Sequence, residues 1–248
     1  MKSINHLKDD YRTTLYDDYV ESHLAPRYEI SPESLKSQRP VFRNLLSRFL
    51  PVSKEAAILD AGCGHGALLS YLQSEGYRNA VGIDGSKTQV DLAKKLGVSG
   101  VDEWNLFPYL TMHSGQFDLI TAFDVIEHLK KNEVLEFLKL AFQALKSGGR
   151  LIVRTPNGAS PFSGAYRYGD FTHELSFTRT SIQQIFTNAG FRSIEIFPVE
   201  PVVHGLASAA RYGLWKVISW MLRFYLLVET GEANGEILTQ NLLATAEK

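Results

Sequence analysis

Cysteine is nearly absent from this sequence, and an excess of one charge is absent too. The one cysteine, Cys63, has no partner for an internal disulfide and no companion thiols for a structural zinc site. This favours a reducing compartment, and we expect a cytoplasmic protein. The 26 Lys and Arg residues against 27 Asp and Glu residues leave a formal charge of -1, so no overall attraction to nucleic acid is expected.

Long apolar runs are also missing. The residues from Met1 to Arg12 are polar and contain no apolar segment of the kind that secretion signals need. The most apolar stretch, from Leu214 to Val228, is shorter than a membrane span of about 20 residues and contains Lys216 and Arg223. A helix there could cover the sheet, form a dimer contact or make peripheral membrane contact, and packing in the core or between subunits is favoured. The sequence does not set the oligomeric state.

What is present is a series of short apolar runs that each end in glycine or aspartate and are followed by a helical pattern. Such alternation is typical of an α/β fold with parallel strands. The predicted strands are Ala56 to Ala61, Ala80 to Ile83, Val98 to Val101, Phe117 to Phe123, Arg150 to Arg154, Phe191 to Val199 and Ile237 to Ala246. The predicted helices include Ser31 to Phe49, Lys87 to Leu96, Glu133 to Leu145, Thr180 to Asn188 and Leu206 to Val228, with a long irregular stretch from Thr155 to Ser176.

The segment Ile58-Leu59-Asp60-Ala61-Gly62-Cys63-Gly64-His65-Gly66-Ala67 leads an apolar strand into alternate glycines. Glycines there let the backbone turn sharply and lie close to a ligand. Asp84 ends the next strand, 22 residues after Gly62, where its carboxylate can bind both hydroxyls of a ribose. The pattern therefore predicts a site for an adenosine-type cofactor.

The loop also fits the loose dinucleotide pattern G-x-G-x-x-A, so a nicotinamide dehydrogenase is an alternative. Asp60 favours a different ligand, because its carboxylate would repel a pyrophosphate and attract an ammonium or a sulfonium. S-adenosylmethionine has both cations. A non-catalytic module that only senses this cofactor is disfavoured by the acidic and histidine residues beyond the loop.

Three segments, Ile58 to Ala67, Val81 to Asp84 and Phe117 to His128, together resemble the class I S-adenosylmethionine-dependent methyltransferases. The resemblance implies a Rossmann-like sheet of seven strands, mostly parallel with the last antiparallel, and helices on both faces. It also implies that Asp60 to Gly66 wrap the methionine part, that Asp84 holds the ribose, and that Asn105 and Leu106, ahead of Asp102, meet the adenine. The cofactor residues expected are Asp60, Ala61, Gly62, Cys63, Gly64, Asp84, Gly85, Asn105, Leu106, Phe123, Asp124 and Val125.

Asp124, Glu127 and His128 follow the fourth predicted strand and are spaced to share one face of a helical turn. Such a set could hold a divalent cation such as Mg²⁺ that acidifies a hydroxyl. The stretch resembles the Glu-x-x-Glu-His segment of ubiquinone-biosynthesis O-methyltransferases, some of which depend on a metal. Alternatively, Glu127 and His128 only cap the next helix and bracket the cofactor.

His173 is the first candidate for a general base, because it lies near Asp170 and Glu174 in the long loop. A carboxylate neighbour fixes the tautomer of an imidazole and raises its basicity, which suits removal of a proton from an alcohol. His128 and Asp170 are expected to assist. A purely structural histidine is the alternative.

The run from Thr155 to Thr178 and the ending Gly235 to Leu243 resemble bacterial methyltransferases found among polysaccharide and O-antigen biosynthesis enzymes. That resemblance implies a sugar or glycan hydroxyl as acceptor, and a quinone, phenol or other small metabolite is the alternative. The aromatic residues Phe162, Tyr166, Tyr168 and Phe171 suit either acceptor.

The N-terminal residues 1–40, with Tyr11, Tyr16, Tyr19 and His23, lie where related enzymes carry a helical lid over the cofactor. A helix packed on the edge of the sheet is equally compatible with this segment. Residues 41–248 are expected to form the methyltransferase domain.

Overall fold

The computed structural model describes residues 11–25, 29–232 and 236–248, and within them the centre of the molecule is a seven-stranded sheet. The strand order is β3-β2-β1-β4-β5-β7-β6. The strands are β1 Ile58–Ala61, β2 Ala80–Asp84, β3 Val101–Glu103, β4 Phe117–Phe123, β5 Leu145–Pro156, β6 Arg192–Pro198 and β7 Asn241–Glu247. β1 to β5 are parallel and β7 is antiparallel to both neighbours, which confirms the expected Rossmann-like sheet.

Helices flank the sheet and begin at recognisable caps. Ser31 and Ser34 form a reciprocal capping box ahead of Pro32, so the second helix starts where the sequence predicts. Thr178 and Ser181 do the same for the helix that follows the long loop. The helices are α1 Tyr11–Asp17, α2 Pro32–Leu46, α3 Ala67–Ser74, α4 Lys87–Lys95, α5 Leu106–Met112, α6 Lys131–Ala144, α7 Ser163–Arg167, α8 Arg179–Asn188 and α9 Leu206–Thr230, with a π-helical turn at Val20–Leu24 and a 3-10 turn at Ile126–His128.

Alternate residues of the central strands build two apolar layers. Leu59, Ile120 and Val153 pack on one face with α5, α6 and α8. Ile58 and Leu119 pack on the other with α2, α3 and α4. Because strand side chains alternate between faces, a buried strand that is apolar at every position needs helices on both sides, as found here.

Several predicted boundaries are wrong for local reasons. The sequence Ser147-Gly148-Gly149 is typical of a helix C-terminus and predicts one there, but these residues belong to β5, which begins at Leu145 immediately after α6 with a change to extended backbone. The ladder between β4 and β5 shifts register between Phe117 and Leu119, which accommodates the extra residues. Helix α5 was not predicted, β3 begins at Val101 rather than Val98, and β7 begins at Asn241 rather than Ile237.

Helix α9 does not pack into the core. Along its 25 residues only Ser208 and Ser219 are buried, whereas Trp220 is 67% exposed and Val228 is 70% exposed. The core half of the expected packing in the core or between subunits is therefore wrong, and packing between subunits stays a prediction. No helix of the described residues meets the length and hydropathy needed to cross a membrane. The glycines at Gly231 and Gly235 predict a turn before the last strand, and this turn falls partly outside the described residues.

Candidate functional site

A cavity of about 1060 Å³ opens at the carboxyl ends of β1, β2, β4 and β5. This is the edge of an open α/β sheet at which ligands bind, and the volume exceeds that of one small ligand. The loop after β1, the residues after β2 and β4, the long loop and the N-terminal helices all contribute lining side chains.

The glycine loop turns the chain at the end of β1. Gly62 and Gly64 have φ angles of +71° and +54°, a region that glycine enters without strain. The N–H groups of Gly62 and Cys63 donate to the carbonyl of Ile83, which ties the loop to β2. A Cβ atom on Gly62 would lie 2.5 Å from a methyl carbon of Val125, so only glycine fits there.

Asp84 is fixed by the backbone on both sides. Its Oδ2 accepts from the N–H of Gly64 at 2.9 Å, and its Oδ1 accepts from the N–H of Ser86 at 2.8 Å. Each carboxylate oxygen can accept a second hydrogen bond, and Asp84 lines the cavity. The carboxylate is thus oriented to accept from a ligand diol.

Asp60 carries an unsatisfied buried oxygen at the cavity wall. Its Oδ1 accepts from the hydroxyl of Thr121 at 2.8 Å, but its Oδ2 has no hydrogen-bond partner among the described residues. Burial raises the pKa of this carboxyl from 3.8 to about 7. The ammonium of S-adenosylmethionine could donate the missing hydrogen bond, and its ammonium or sulfonium charge would favour the charged form of Asp60.

Of the expected cofactor residues, all but one line the cavity. Ala61 lies instead in the apolar core, because its side chain points away from the site within β1. Asp102, the weaker adenine candidate, is exposed on β3 and is not among the lining residues. The expected cofactor residues that do line the cavity are Asp60, Gly62, Cys63, Gly64, Asp84, Gly85, Asn105, Leu106, Phe123, Asp124 and Val125.

Sequence reasoning missed some lining residues. His65 lies inside the glycine loop itself, and Gln89 faces it from α4. Phe107 lies next to the predicted adenine residues at the start of α5. The position of His65 in the loop was a usable signal, whereas Gln89 and Phe107 reach the site only through the fold.

Asp124, Glu127 and His128 do not share one helical face. Asp124 has a φ angle of +55°, lies before the 3-10 turn and forms an ion pair with Arg154 at the end of β5. Glu127 is fully buried, its Oε2 accepts from the hydroxyl of Thr155 at 3.0 Å, and its Oε1 has no partner among the described residues. The predicted metal set of Asp124, Glu127 and His128 is therefore not assembled as expected, because Arg154 neutralises Asp124.

His173 is brought next to His128 instead. The two imidazole centroids are 4.6 Å apart. The ligand atoms of Glu127, His128 and His173 all lie within 4.8 Å of one another, which makes them a group that could hold a metal ion. The long loop reaches this place because the N–H groups of Glu174 and Leu175 donate to the carbonyl of Glu127.

Hydrogen bonds set the tautomers of both imidazoles. The Nδ1 of His173 is 2.8 Å from the carbonyl of Tyr166, which can only accept, so Nδ1 carries the proton. The hydroxyl of Thr172 donates to Asp170 at 2.7 Å and must therefore accept from Nδ1 of His128, 2.8 Å away. The Nε2 lone pair of each ring is left for other partners.

The charges of this group follow from the same contacts. Burial, with a smaller contribution from His173, lowers the pKa of His128 to about 4, so the ring is neutral at neutral pH. Burial opposes ionisation of Asp170, but hydrogen bonds from Tyr19 and Thr172 outweigh it and lower its pKa to about 2. The ionised carboxylate of Asp170 is therefore linked through the hydroxyl of Thr172 to the neutral imidazole of His128.

The N-terminal helices lie along the cavity. The hydroxyl of Tyr19 donates to Asp170 at 2.5 Å, Arg12 pairs with Glu133, and the hydroxyl of Ser86 donates to the carbonyl of Tyr16. Tyr16, Tyr19 and His23 all line the cavity. Tyr11 lies outside the lining, in edge contact with Phe171.

The aromatic residues of the long loop divide into two groups. Tyr166 lines the cavity. Phe162, Tyr168 and Phe171 are 77%, 78% and 83% exposed and point away from it. An acceptor platform of all four rings is therefore not formed.

Comparison with known proteins gives a consistent assignment. A family model described as "Methyltransferase domain" matches residues 35–196. No curated protein matches the chain. Solved structures with a similar fold include an S-adenosylmethionine-dependent methyltransferase from Archaeoglobus fulgidus, with 21% identity, a TM-score of 0.64 and coverage of 87% of this chain and 97% of that one.

Two further structures are similar in fold. A methyltransferase from Thermotoga maritima, described as a possible histamine N-methyltransferase, has 18% identity and a TM-score of 0.56, with coverage of 87% of this chain and 95% of that one. Phosphoethanolamine N-methyltransferase 2 from Haemonchus contortus has 16% identity and a TM-score of 0.58, with coverage of 94% of this chain and 60% of that longer one.

Proposed function

The chain belongs to the methyltransferase domain family and is a class I S-adenosylmethionine-dependent methyltransferase, and from this we propose that it methylates a hydroxyl of a sugar or glycan intermediate. S-adenosylmethionine supplies an electrophilic methyl group on a sulfonium. The protein then has to place an acceptor oxygen in line with that methyl group, exclude water and take up one proton.

The proposed site for the methyl donor uses the carboxylates at the ends of the first two strands, β1 and β2. Asp84 accepts from the ribose hydroxyls, and the unpartnered Oδ2 of Asp60 accepts from the cationic methionine part. Gly62 and Gly64 let the backbone lie against the ligand. Asn105 caps α5 with its side chain and, with Leu106, would contact the adenine.

The observation that carries the proposal of oxygen as the nucleophile is the orientation of His173. Its Nδ1 proton is held by the carbonyl of Tyr166, and its Nε2 lone pair is left for a proton on the cavity side. A sugar hydroxyl is too weak an acid to ionise by itself near neutral pH, so such a base contributes about 10²- to 10⁴-fold. His128 and Asp170 lie beside this base: the ring of His128 packs against that of His173, and the carbonyl of Asp170 accepts from the backbone N–H of His173.

The polar character of the acceptor side supports a hydroxylated acceptor. Arg12, Tyr19, His23, Glu133 and Asp170 line that part of the cavity. These groups pair with one another in Arg12–Glu133 and Tyr19–Asp170 contacts, and a hydroxyl-rich molecule can form further hydrogen bonds with them, whereas the apolar tail of a quinone cannot. A quinone, phenol or other small metabolite remains the alternative, and Tyr166 suits either ring.

A divalent cation is the alternative to the proposed base, with a revised ligand set. Glu127 offers a buried oxygen without a partner, and His128 and His173 offer their Nε2 atoms. One carboxylate and two imidazoles suit Zn²⁺ or another transition ion better than Mg²⁺, which prefers oxygen ligands. Such an ion would acidify an acceptor hydroxyl, and His173 would then be a ligand rather than the base.

The test is an acceptor screen by mass spectrometry of methylated product. Nucleotide sugars and lipid-linked glycans are compared with phenols and quinone precursors, each with and without prior removal of metal by a chelator. We expect a glycan-type acceptor to be methylated with activity unchanged by the chelator. Turnover confined to phenols or quinones would refute the sugar acceptor. If removal of metal abolished activity and Zn²⁺ restored it, the metal site of Glu127, His128 and His173 would replace His173 as the base.

The variant His173→Asn tests the base in the same assay. Its amide N–H can keep the bond to the Tyr166 carbonyl, but it has no base at the Nε2 position. We expect kcat to fall about 10²- to 10⁴-fold with little change in the Kd of S-adenosylmethionine. His204→Asn, at an exposed position before α9, is the matched control. Full activity of His173→Asn at every pH would exclude His173 as the base.

A cytoplasmic location completes the proposal. Cys63 is buried and burial raises the pKa of its thiol, so it is a poorly reactive structural thiol.

A lid made by the N-terminal residues is likewise proposed, on the contacts of Tyr19 and Arg12.

A further inference from the structure

Helix α9 contacts the rest of the protein through one narrow stripe. Its buried and half-buried positions recur every three or four residues, as one side of a helix does. They are Ser208, Tyr212, Trp215, Ser219, Leu222 and Leu226. Trp215 and Ser219 share a small cavity with Pro198 at the end of β6 and Leu238 before β7, so this stripe faces the edge of the sheet.

The opposite side of α9 is apolar along its whole length. At 100° per residue the outward positions cover about half of the circumference and include no charged residue. The large side chains on it are 45% to 92% exposed and are Leu206, Leu214, Val217, Ile218, Trp220, Met221, Phe224, Tyr225, Leu227 and Val228. A face of this size exposed to water marks an interaction site.

The charges beside this face are mainly positive. Arg211 lies along one flank, and Arg223 lies along the other together with Lys216, whose Nζ pairs with Glu200 at 2.6 Å. The acidic residue on the helix flank is Glu229, in its last turn. An apolar face with Trp, Tyr and Phe and with cations at its sides is the pattern of a helix that lies in the interface of an anionic bilayer.

We propose that the outward face of α9 binds the surface of an anionic lipid bilayer, with the helix in the plane of the membrane. Two observations favour a bilayer over a second copy of the chain. A symmetric antiparallel pair of such helices would place the flank of Lys216 and Arg223 against its own copy, and like charges across an interface cost affinity. An anionic lipid surface is complementary to Arg211 on one flank and to Arg223 on the other. This inference does not depend on which acceptor is methylated.

The experiment measures sedimentation of the purified full chain with vesicles of phosphatidylglycerol and phosphatidylcholine, and with vesicles of phosphatidylcholine alone. We expect binding to the anionic vesicles that falls with added salt. Trp220→Ser with Phe224→Ser should weaken binding about 100-fold because two exposed aromatic side chains no longer enter the lipid. Arg211→Glu with Arg223→Glu should weaken it about tenfold or more.

Leu135→Ser is the matched control, since Leu135 is an exposed apolar residue on a different helix. Circular dichroism checks that each variant stays folded, and light scattering reports the oligomeric state. The proposal is overturned if the chain does not bind anionic vesicles, if the α9 variants bind like the control, or if Trp220→Ser with Phe224→Ser converts a dimer into a monomer without any vesicle binding.

Discussion

At the scale of single residues, Asp60 combines a structural cost with a functional use. The carboxyl is 2% exposed, and one of its oxygens lacks a hydrogen-bond partner among the described residues. Burial raises its pKa to about 7. Between the unfolded pKa of 3.8 and that value, the folded state holds a proton that the unfolded state has lost. The stability contributed by this residue therefore falls as the pH rises from about 4 to about 7.

We predict opposite effects of Asp60→Asn on stability and on binding. The amide cannot ionise, so the free energy of unfolding at pH 8 should rise by about 1 to 3 kcal/mol relative to the native chain, and the difference should shrink toward pH 4. The loss of the negative charge should weaken binding of S-adenosylmethionine about tenfold or more. Urea unfolding at several pH values and calorimetry check the two effects. A variant that is less stable at pH 8, or that binds the cofactor normally, would contradict this reading of Asp60.

At the scale of secondary-structure elements, the N-terminal helices are connected by a chain of hydrogen bonds to His128, whose ring lies 4.6 Å from that of His173. Tyr19 donates to Asp170, Asp170 accepts from Thr172, and Thr172 accepts from His128. The first helical segment is only 7 residues long, so packing and these polar contacts must hold it rather than its own helix propensity. A shift of this segment would therefore change the positions of the imidazoles of His128 and His173.

Tyr19→Phe tests that connection. The ring is kept and the hydroxyl that donates to the charged Asp170 is lost, an interaction worth about 1.5 to 3 kcal/mol. We expect kcat/KM for the acceptor to fall about 10- to 100-fold while the Kd of S-adenosylmethionine changes little. Tyr168→Phe is the control, because that ring is exposed outside the cavity. Equal kinetics for the two variants would show that the N-terminal helices do not position the base.

At the scale of the whole molecule, the sheet joins two apolar layers and one cavity into a single unit. The carboxyl ends of β1, β2, β4 and β5 contribute to the same site, and both layers lie directly behind it. A ligand that binds there contacts elements from both sides of the sheet. Binding should therefore stabilise the whole fold and not only one loop.

We predict that S-adenosylmethionine raises the melting temperature. At about 100 times its Kd the ligand stabilises the folded state by about 2.7 kcal/mol, which corresponds to about 5 to 10 °C for a chain of this size. Differential scanning fluorimetry measures the shift. Asp84→Ala should abolish most of it, whereas Glu103→Ala, exposed on neighbouring β3, should not. A shift with a nicotinamide dinucleotide and none with S-adenosylmethionine would contradict the donor assignment.

Local sequence patterns were sufficient for the order of the seven strands and for most of the residues that line the cavity after β1 and β2. Glycines at alternate positions, an aspartate at the end of β2 and apolar strands between helices are each encoded within a few neighbouring residues. The helix caps at Ser31 and Thr178 belong to the same class of signal. These features predict the same local structure in different tertiary contexts, because backbone geometry and short-range hydrogen bonds produce them.

The acceptor side depended on contacts between residues far apart in the chain. Sequence spacing predicted that Asp124, Glu127 and His128 lie together. In the structure Asp124 forms an ion pair with Arg154 of β5, and the long loop brings His173 next to His128 instead. The exposure of Tyr168 and of one face of α9 also depended on the fold, since the sequence left core, subunit and membrane packing of α9 open. The sequence by itself determined which chemical groups are available, and tertiary packing decided which of them meet, because long-range pairing depends on the paths of several loops at once.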